Sequence, residues 1–347
     1  MRTSRKSVFA TALYFLLTFL NTALSAQGVD SMGSDRIGDR PNAAGGPTIV
    51  SVGLYVIDID AIDDAEQRFS ADLFVNIGWQ DPRLALPEGQ RSGKNRTLPL
   101  SDIWSPRGLI VNDRGMSTQL PRVADVDDLG NVQYRQRLTG DLAVDLDLRE
   151  FPFDTQRLPI DIISYQYSPD SLRLVSNAAI ARSDGLFSAE GWHFRMLEPE
   201  TGDFTIPAAG VVRPQLNYVM EARRKVPYYL VTIFLPISLI IFMSWMAFWL
   251  RPDIVPVRIG ISTTSIFSII AFGFSIRLSL PPVSYMTRAD MFVVGCMVMV
   301  FLAFGVAVIG SRWASSDRLE QALRLNVIAR WVYVGMFGVI AAAALVF

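Results

Sequence analysis

Two hydrophobic rhythms divide the chain. From Thr48 to Arg224 apolar residues come in short runs with a two-residue alternation, broken by clusters of Pro, Gly and Asp. That is the pattern of strands with one buried face. It predicts strands over 49–59, 68–79, 108–111, 132–138, 140–148, 158–163, 171–174, 192–197 and 215–222, with turns at Asp81-Pro82, Trp104–Pro106 and Phe151–Asp154. After Arg223-Arg224-Lys225 the alternation gives way to apolar spans at about 226–250, 257–280, 289–311 and 326–347. Each is close to the ~20 residues that cross a bilayer as a helix. The expected fold is an extracellular all-β sandwich, immunoglobulin-like, over 48–224, followed by a four-helix transmembrane bundle over 225–347.

The second span departs from the others. It carries Ser262, Thr263, Thr264, Ser265, Ser268, Ser275 and Ser279 among Ile and Phe, and no acidic residue occurs from Ile254 to Ala289. At about 3.6 residues per turn, Gly260, Thr264, Phe267, Ala271, Phe274 and Leu278 fall on one narrow arc. Lipid gains nothing from hydroxyls, so one reading packs several copies of this helix around a shared aqueous axis. The other uses small residues and hydroxyls for tight packing against neighbouring helices.

The ends of the chain set an orientation. Residues 1–26 have a basic start (Arg2, Arg5, Lys6), an apolar middle and small residues at Ala23, Ser25 and Ala26, the layout of a secretory signal peptide. An uncleaved anchor helix is the alternative. Residues 27–47, rich in Gly, Asp, Ser and Asn, read as a flexible lead-in. Four spans after an exported N-terminus return the C-terminus to the outside. The loops this leaves in the cytoplasm, around 251–258 and 312–324, carry arginines, as the positive-inside tendency expects. Arg330 near the start of the last span can snorkel to the interface.

Composition narrows the chemistry. A mean hydropathy of +0.29 over 347 residues fits partial membrane insertion. A formal charge of −1 with no basic block argues against nucleic acid. The single cysteine, Cys296, permits no intrachain disulfide, and the single histidine, His193, leaves little for a metal cluster or a nucleophile–base pair. No cofactor, metal site or catalytic residue is expected.

Several ordered motifs resemble the pentameric ligand-gated ion channels in their compact prokaryotic form. They are Trp-Gln-Asp-Pro-Arg-Leu at 79–84, Trp-Ser-Pro at 104–106, Phe-Pro-Phe-Asp-Thr-Gln at 151–156, Leu235-Pro236 in the first span and Leu-Pro-Pro-Val-Ser-Tyr at 280–285. The likeness runs from about Thr48 to Phe347. Animal members close the loop around Phe151–Asp154 with a disulfide, which this chain lacks. The link between the last two spans is too short for a cytoplasmic domain.

The resemblance implies a homopentamer of identical subunits around a central pore in the bacterial inner membrane, in contact with lipid and permeant ions. It turns Pro256, Gly260, Thr264, Phe267, Ala271, Phe274 and Leu278 toward the axis, where five Phe267 rings, and then Phe274, would form hydrophobic constrictions. Pro256, Val257 and Arg258 take the place of the selectivity segment. With Arg277 and no carboxylate along the helix, they imply a positive pore that prefers chloride. Coupling between the domains falls to Asp64, Phe153, Asp154, Arg224, Pro281, Pro282 and Tyr285. A small-molecule agonist would meet Phe74, Tyr165, Tyr167 and Phe204, rings able to hold an organic cation. Protons acting on Asp58, Asp60, Asp63, Asp64 or Glu66 are the competing trigger. The alternatives are a cation-selective channel of the same fold, a non-conducting periplasmic sensor with a membrane anchor and, with least material, a membrane enzyme.

Overall fold

A computed structural model describes residues 38–42, 45–181, 187–207, 209–279, 283–316 and 318–346. The expected signal peptide, most of the lead-in, and Pro281 and Pro282 lie outside the described residues. The end of the lead-in is tied down: Arg83 Nη2 donates to the Asp39 carbonyl at 2.7 Å, and Arg40 Nη1 donates to the Gly46 carbonyl at 2.6 Å.

Residues 48–224 form two packed sheets. The first contains β1 (Thr48–Asp63), β2 (Arg68–Gln80), β3 (Arg96–Pro99), β5 (Ser117–Thr118), β6 (Val123–Val126), β7 (Asn131–Ala143) and β9 (Leu172–Ala181), in the order β3-β6-β7-β2-β1-β9 with β5 beside β7. The second contains β4 (Gly108–Ile110), β8 (Thr155–Ser164), β10 (Trp192–Met196), β11 (Glu200–Ile206) and β12 (Val211–Arg224), in the order β10-β12-β8-β4 with β11 beside β12.

Alternation aims one side of each strand at the shared core, as in sandwiches generally. Val50, Val52 and Leu54 of β1 and Leu73 and Val75 of β2 are buried on one sheet; Leu158, Ile160 and Ile162 of β8 and Leu216, Tyr218 and Met220 of β12 are buried on the other. The Tyr218 hydroxyl donates across the core to the Val52 carbonyl at 2.7 Å. Along β1 the phase would bury Asp58 after Val56. Register shifts at Val56/Asp58 and Ile59/Ala61 bury Ile59 instead, which is what a bulge does to a strand's facing.

The strand pattern expected from sequence differs in two ways. Strands β3, β5, β6 and β11 were not expected. They are short or carry little alternation: β11 is mostly exposed and is held by pairing with β12 along Glu200–Ile206. Conversely, the two strands expected over 132–138 and 140–148 are one: β7 runs through the gap at Thr139, with Gly140 at φ +149°, and stops at Ala143 rather than 148. A Cβ there would stand 2.7 Å from the Gly115 carbonyl oxygen, so the glycine admits the neighbouring turn rather than ending the strand.

Four helices follow, each long and apolar enough to cross a membrane: α1 (Pro227–Trp249), α2 (Val255–Ser279), α3 (Arg288–Ser315) and α4 (Leu319–Val346). Helix α4 begins earlier than the expected 326. Helix α1 widens into a π turn over Leu230–Phe234, where the Leu235 N–H reaches the Leu230 carbonyl. Pro236, next in the chain, has no N–H to give and a ring that crowds the preceding turn, and the wider turn accommodates it. Arg330 Nε donates to the Phe248 carbonyl at 3.1 Å, and its guanidinium lies 4.3 Å from the Trp249 ring, pinning α4 to the end of α1.

Gly140→Ala should lower the thermal midpoint of the solubilised protein by an amount corresponding to about 1–3 kcal/mol. Gly89→Ala, with open space around its Cβ position, should change it little.

Candidate functional site

The sandwich meets the bundle around one guanidinium. Arg224 ends β12, its side chain is 3% exposed, and its Nε lies 2.8 Å from Asp154 Oδ1 and its Nη1 3.0 Å from Asp64 Oδ2. Its Nη1 also donates to the Tyr229 hydroxyl of α1 at 3.1 Å. The ring of Trp192, which pairs with Arg224 across β10 and β12, lies 4.1 Å from the guanidinium carbon, and that of Phe151 lies 4.9 Å away. Burial works against this charge, but the hydrogen bonds and negative charges of Asp154 and Asp64 outweigh it, raising the Arg224 pKa above its ordinary value.

Asp154 is held in turn. Gln156 Nε2 donates to its Oδ2 at 2.6 Å and to the Asp147 carbonyl at 2.7 Å. The loop between them caps a membrane helix. The first N–H groups of a helix have no partner within it. Here Arg288 N–H reaches the Arg149 carbonyl at 3.0 Å and Ala289 N–H the Phe151 carbonyl at 3.2 Å, while Thr287 and Asp290 form a capping box. Beside this cap the Leu148 N–H donates to the Tyr285 hydroxyl at 3.0 Å, and Arg149 lies 4.7 Å from the Tyr285 ring. Phe153 packs on Phe234 of α1, which packs on Phe292 of α3.

The structure thus brings Asp64, Phe153, Asp154, Arg224 and Tyr285 to one junction. Phe151 and Gln156 belong to the loop expected there; Trp192 and Tyr229 were not expected. Trp192 reaches Arg224 only through strand pairing, which no local sequence signal displays.

Helix α2 has two faces. Pro256, Gly260, Thr264, Phe267, Ala271 and Phe274 are exposed in the single chain, Phe267 at 68% and Phe274 at 66%; Ser262, Ser265, Ile269 and Ile276 are buried. The hydroxyls are therefore divided between the faces: Ser265 Oγ donates to the Ile261 carbonyl at 2.9 Å within its own helix. The structure corrects the reading of Arg258. Val257 is exposed beside Pro256, but Arg258 is 0% exposed, and its Nη2 donates to Asn326 of α4 at 2.8 Å. At 100° per residue Arg258 stands about 200° from Pro256. The helical arc already put it on the far side, and the motif match obscured that.

The aromatic residues expected at an agonist pocket do not form one box within a subunit. Phe74 is half-buried on β2, opposite Arg137. Tyr165 is exposed beyond β8, and its N–H donates to the Arg107 carbonyl. Tyr167 is turned toward the core, its hydroxyl accepting from Trp104 Nε1 at 2.7 Å. Phe204 is half-buried on β11, opposite Arg213.

With this geometry in place, two family models match. The neurotransmitter-gated ion-channel ligand binding domain matches residues 36–199, and the neurotransmitter-gated ion-channel transmembrane region matches residues 233–321. The chain belongs to the neurotransmitter-gated ion-channel family. It is a multi-pass membrane protein with an extracellular β-sandwich. A gamma-aminobutyric acid receptor subunit beta-like protein of Drosophila melanogaster is 28% identical over 87% of this chain and 62% of the relative. A gamma-aminobutyric acid receptor subunit beta of Caenorhabditis elegans is 26% identical over 76% of this chain and 49% of the relative. The chain thus spans about half to three-fifths of these relatives' length.

Two measurements test the junction. Arg224→Gln strands two carboxylates and should destabilise the solubilised protein by about 3–5 kcal/mol. Arg288→Gln, whose partner Glu150 is mostly exposed, should cost under about 1 kcal/mol. Near the junction the Asp60 carboxyl is pushed above its ordinary pKa, first by burial and then by Asp58 and Asp72. The folded state then binds more protons than the unfolded one just above the ordinary value, so stability falls as pH rises through that window. Asp60→Asn should raise the thermal midpoint at neutral pH, with the gain vanishing below the ordinary carboxylate range.

Proposed function

We propose that the chain assembles as a homopentamer whose α2 helices line a central pore, opened to small ions by a chemical signal arriving from outside the membrane. The observation that carries this reading is the outward arc of α2. Phe267 and Phe274 leave two large rings uncovered on a helix otherwise packed through Ser262, Ser265, Ile269 and Ile276. Pro256, Gly260 and Thr264 continue the same face toward the inner end. A lipid-facing stripe has no use for Thr264 or Gly260, whereas a pore uses small and hydroxyl residues for wet segments and rings for the gate.

Chloride is the favoured ion. The support is the lack of any carboxylate from Ile254 to Ala289, the exposed Arg277 near the outer end, and the similarity to subunits named for gamma-aminobutyric acid. Arg258 adds no exposed charge at the mouth. The lack of a cysteine pair and the short α3–α4 link favour a compact bacterial form in the inner membrane.

Ligand capture is assigned to the cleft between neighbouring sandwiches. Phe74 lies on the first sheet, whereas Phe204 lies on the second and Tyr165 just beyond its β8, so a second subunit is needed to close a box. Gamma-aminobutyric acid is the first compound to apply, with external acid as the competing trigger. Through the Arg224 cluster and the loop that caps α3, strain in the sandwich reaches α1 and α3 directly.

Cysteines placed at Gly260, Thr264 and Ala271 test the pore. The native Cys296 is fully buried and leaves no background. A charged thiol reagent should block current at each position, and Phe267→Ala should raise resting current. Reversal potentials in asymmetric salt should follow the anion. Current that ignores the reagent at all three positions, or reversal that follows the cation, contradicts the reading.

A further inference from the structure

The inner end of the bundle holds a cation that its surroundings do not balance. Arg258, one turn into α2, is 0% exposed. Of the five N–H donors of a guanidinium, one bond is made, from Nη2 to Asn326 Oδ1 at 2.8 Å, while Nε and Nη1 have no partner. An arginine does not shed its charge by deprotonation, and near a helix end it can ordinarily reach interfacial water. This one is turned inward. No carboxylate among the described residues pairs with it: Asp253 is taken by Arg251, Glu320 is exposed, and the Asp290 side chain caps the opposite end of α3. A buried cation with one neutral partner is costly in so dry a setting.

The surroundings suit a negative partner. Gly310 of α3 packs directly beside the guanidinium, where a Cβ would stand 3.4 Å from Nη1. Ser262, one turn along the same face of α2, and Ser311, beside Gly310, are buried with hydroxyls that make no hydrogen bond. The N-terminal end of a long helix adds its own positive potential, and the first turn of α2 has no acidic residue to use it.

We propose that Arg258, with Asn326 as the residue that orients it, forms an anion-binding site inside each subunit, behind the α2 face assigned to the pore. Its ligand is a small negative group seated on Nε and Nη1. Either a free halide or the phosphate oxygen of an inner-leaflet lipid supplies that chemistry. Once occupied, the site cancels the Arg258 charge, leaving the mouth of α2 with only what Pro256 and Val257 present.

Anomalous diffraction from crystals of the assembled full chain soaked in bromide reads the site directly, and native mass spectrometry of the same protein reads bound phospholipid. The expected result is a bromide peak within hydrogen-bonding reach of the guanidinium. Asn326→Asp, which tethers a competing carboxylate and keeps the pair balanced, should lose the peak, as should Arg258→Gln. If bromide is absent but the protein retains an anionic phospholipid that Asn326→Asp releases, the ligand is the lipid phosphate. A guanidinium with only water beside it and no retained lipid overturns the proposal. So does a bromide peak that survives Arg258→Gln.

Discussion

A positive charge with almost no water around it governs how the two halves of this molecule meet. Arg224 closes the last strand, and three residues further on, at Pro227, the first membrane helix begins. Its charge is matched by Asp154 and Asp64 from two separate loops, and its flat faces are covered by Trp192 and Phe151. Remove the carboxylates and the guanidinium has nowhere to place its charge; remove the arginine and two carboxylates crowd one apolar corner. The loops cannot drift from β12 without meeting one of those penalties. The same peptide that holds Asp154 also satisfies the first amides of α3, so the sandwich terminates a transmembrane helix as well as contacting it.

This arrangement makes mechanical sense of a receptor. Sheets are stiff along their strands, and helices along their axes. On the proposed function, a displacement at the far end of the sandwich would reach the junction with little loss, and the junction would pass it to α1 through Tyr229 and Phe234 and to α3 through the cap. Helix α2 would receive it from its packed neighbours. Its outward face, made of small residues and two phenylalanines, is the one that packing within the subunit leaves free to change its surroundings.

Much of this was legible in the chain. Alternation gave most long strands, hydropathy gave the spans, and simple helical periodicity grouped the exposed α2 residues from Gly260 to Phe274, with Pro256 added by the resemblance. What failed did so for physical reasons. Edge strands such as β11 owe their form to the partner strand, so their own residues carry little pattern. The stretches 132–138 and 140–148 read as separate strands because local propensity cannot see Gly115 on the segment beside Gly140. Arg258 was misplaced because three residues of motif outweighed the geometry of the helix that contains them. Asn326 offered a usable signal, a lone amide in an apolar span, and such residues usually answer a polar partner on another helix. Trp192 offered none, since only the completed sheet brings it over Arg224.

The claim on which the rest hangs is that Arg224 and Asp154 act as a pair and not as two separate buried polar groups. A double-mutant cycle of Arg224→Met, Asp154→Leu and the combined variant, read as unfolding free energy of the solubilised protein, measures that directly. The account predicts a combined loss smaller than the sum of the single losses by about 1–3 kcal/mol. Losses that simply add would mean that the charge at the junction is balanced elsewhere, and the account of how the two domains are joined would be wrong.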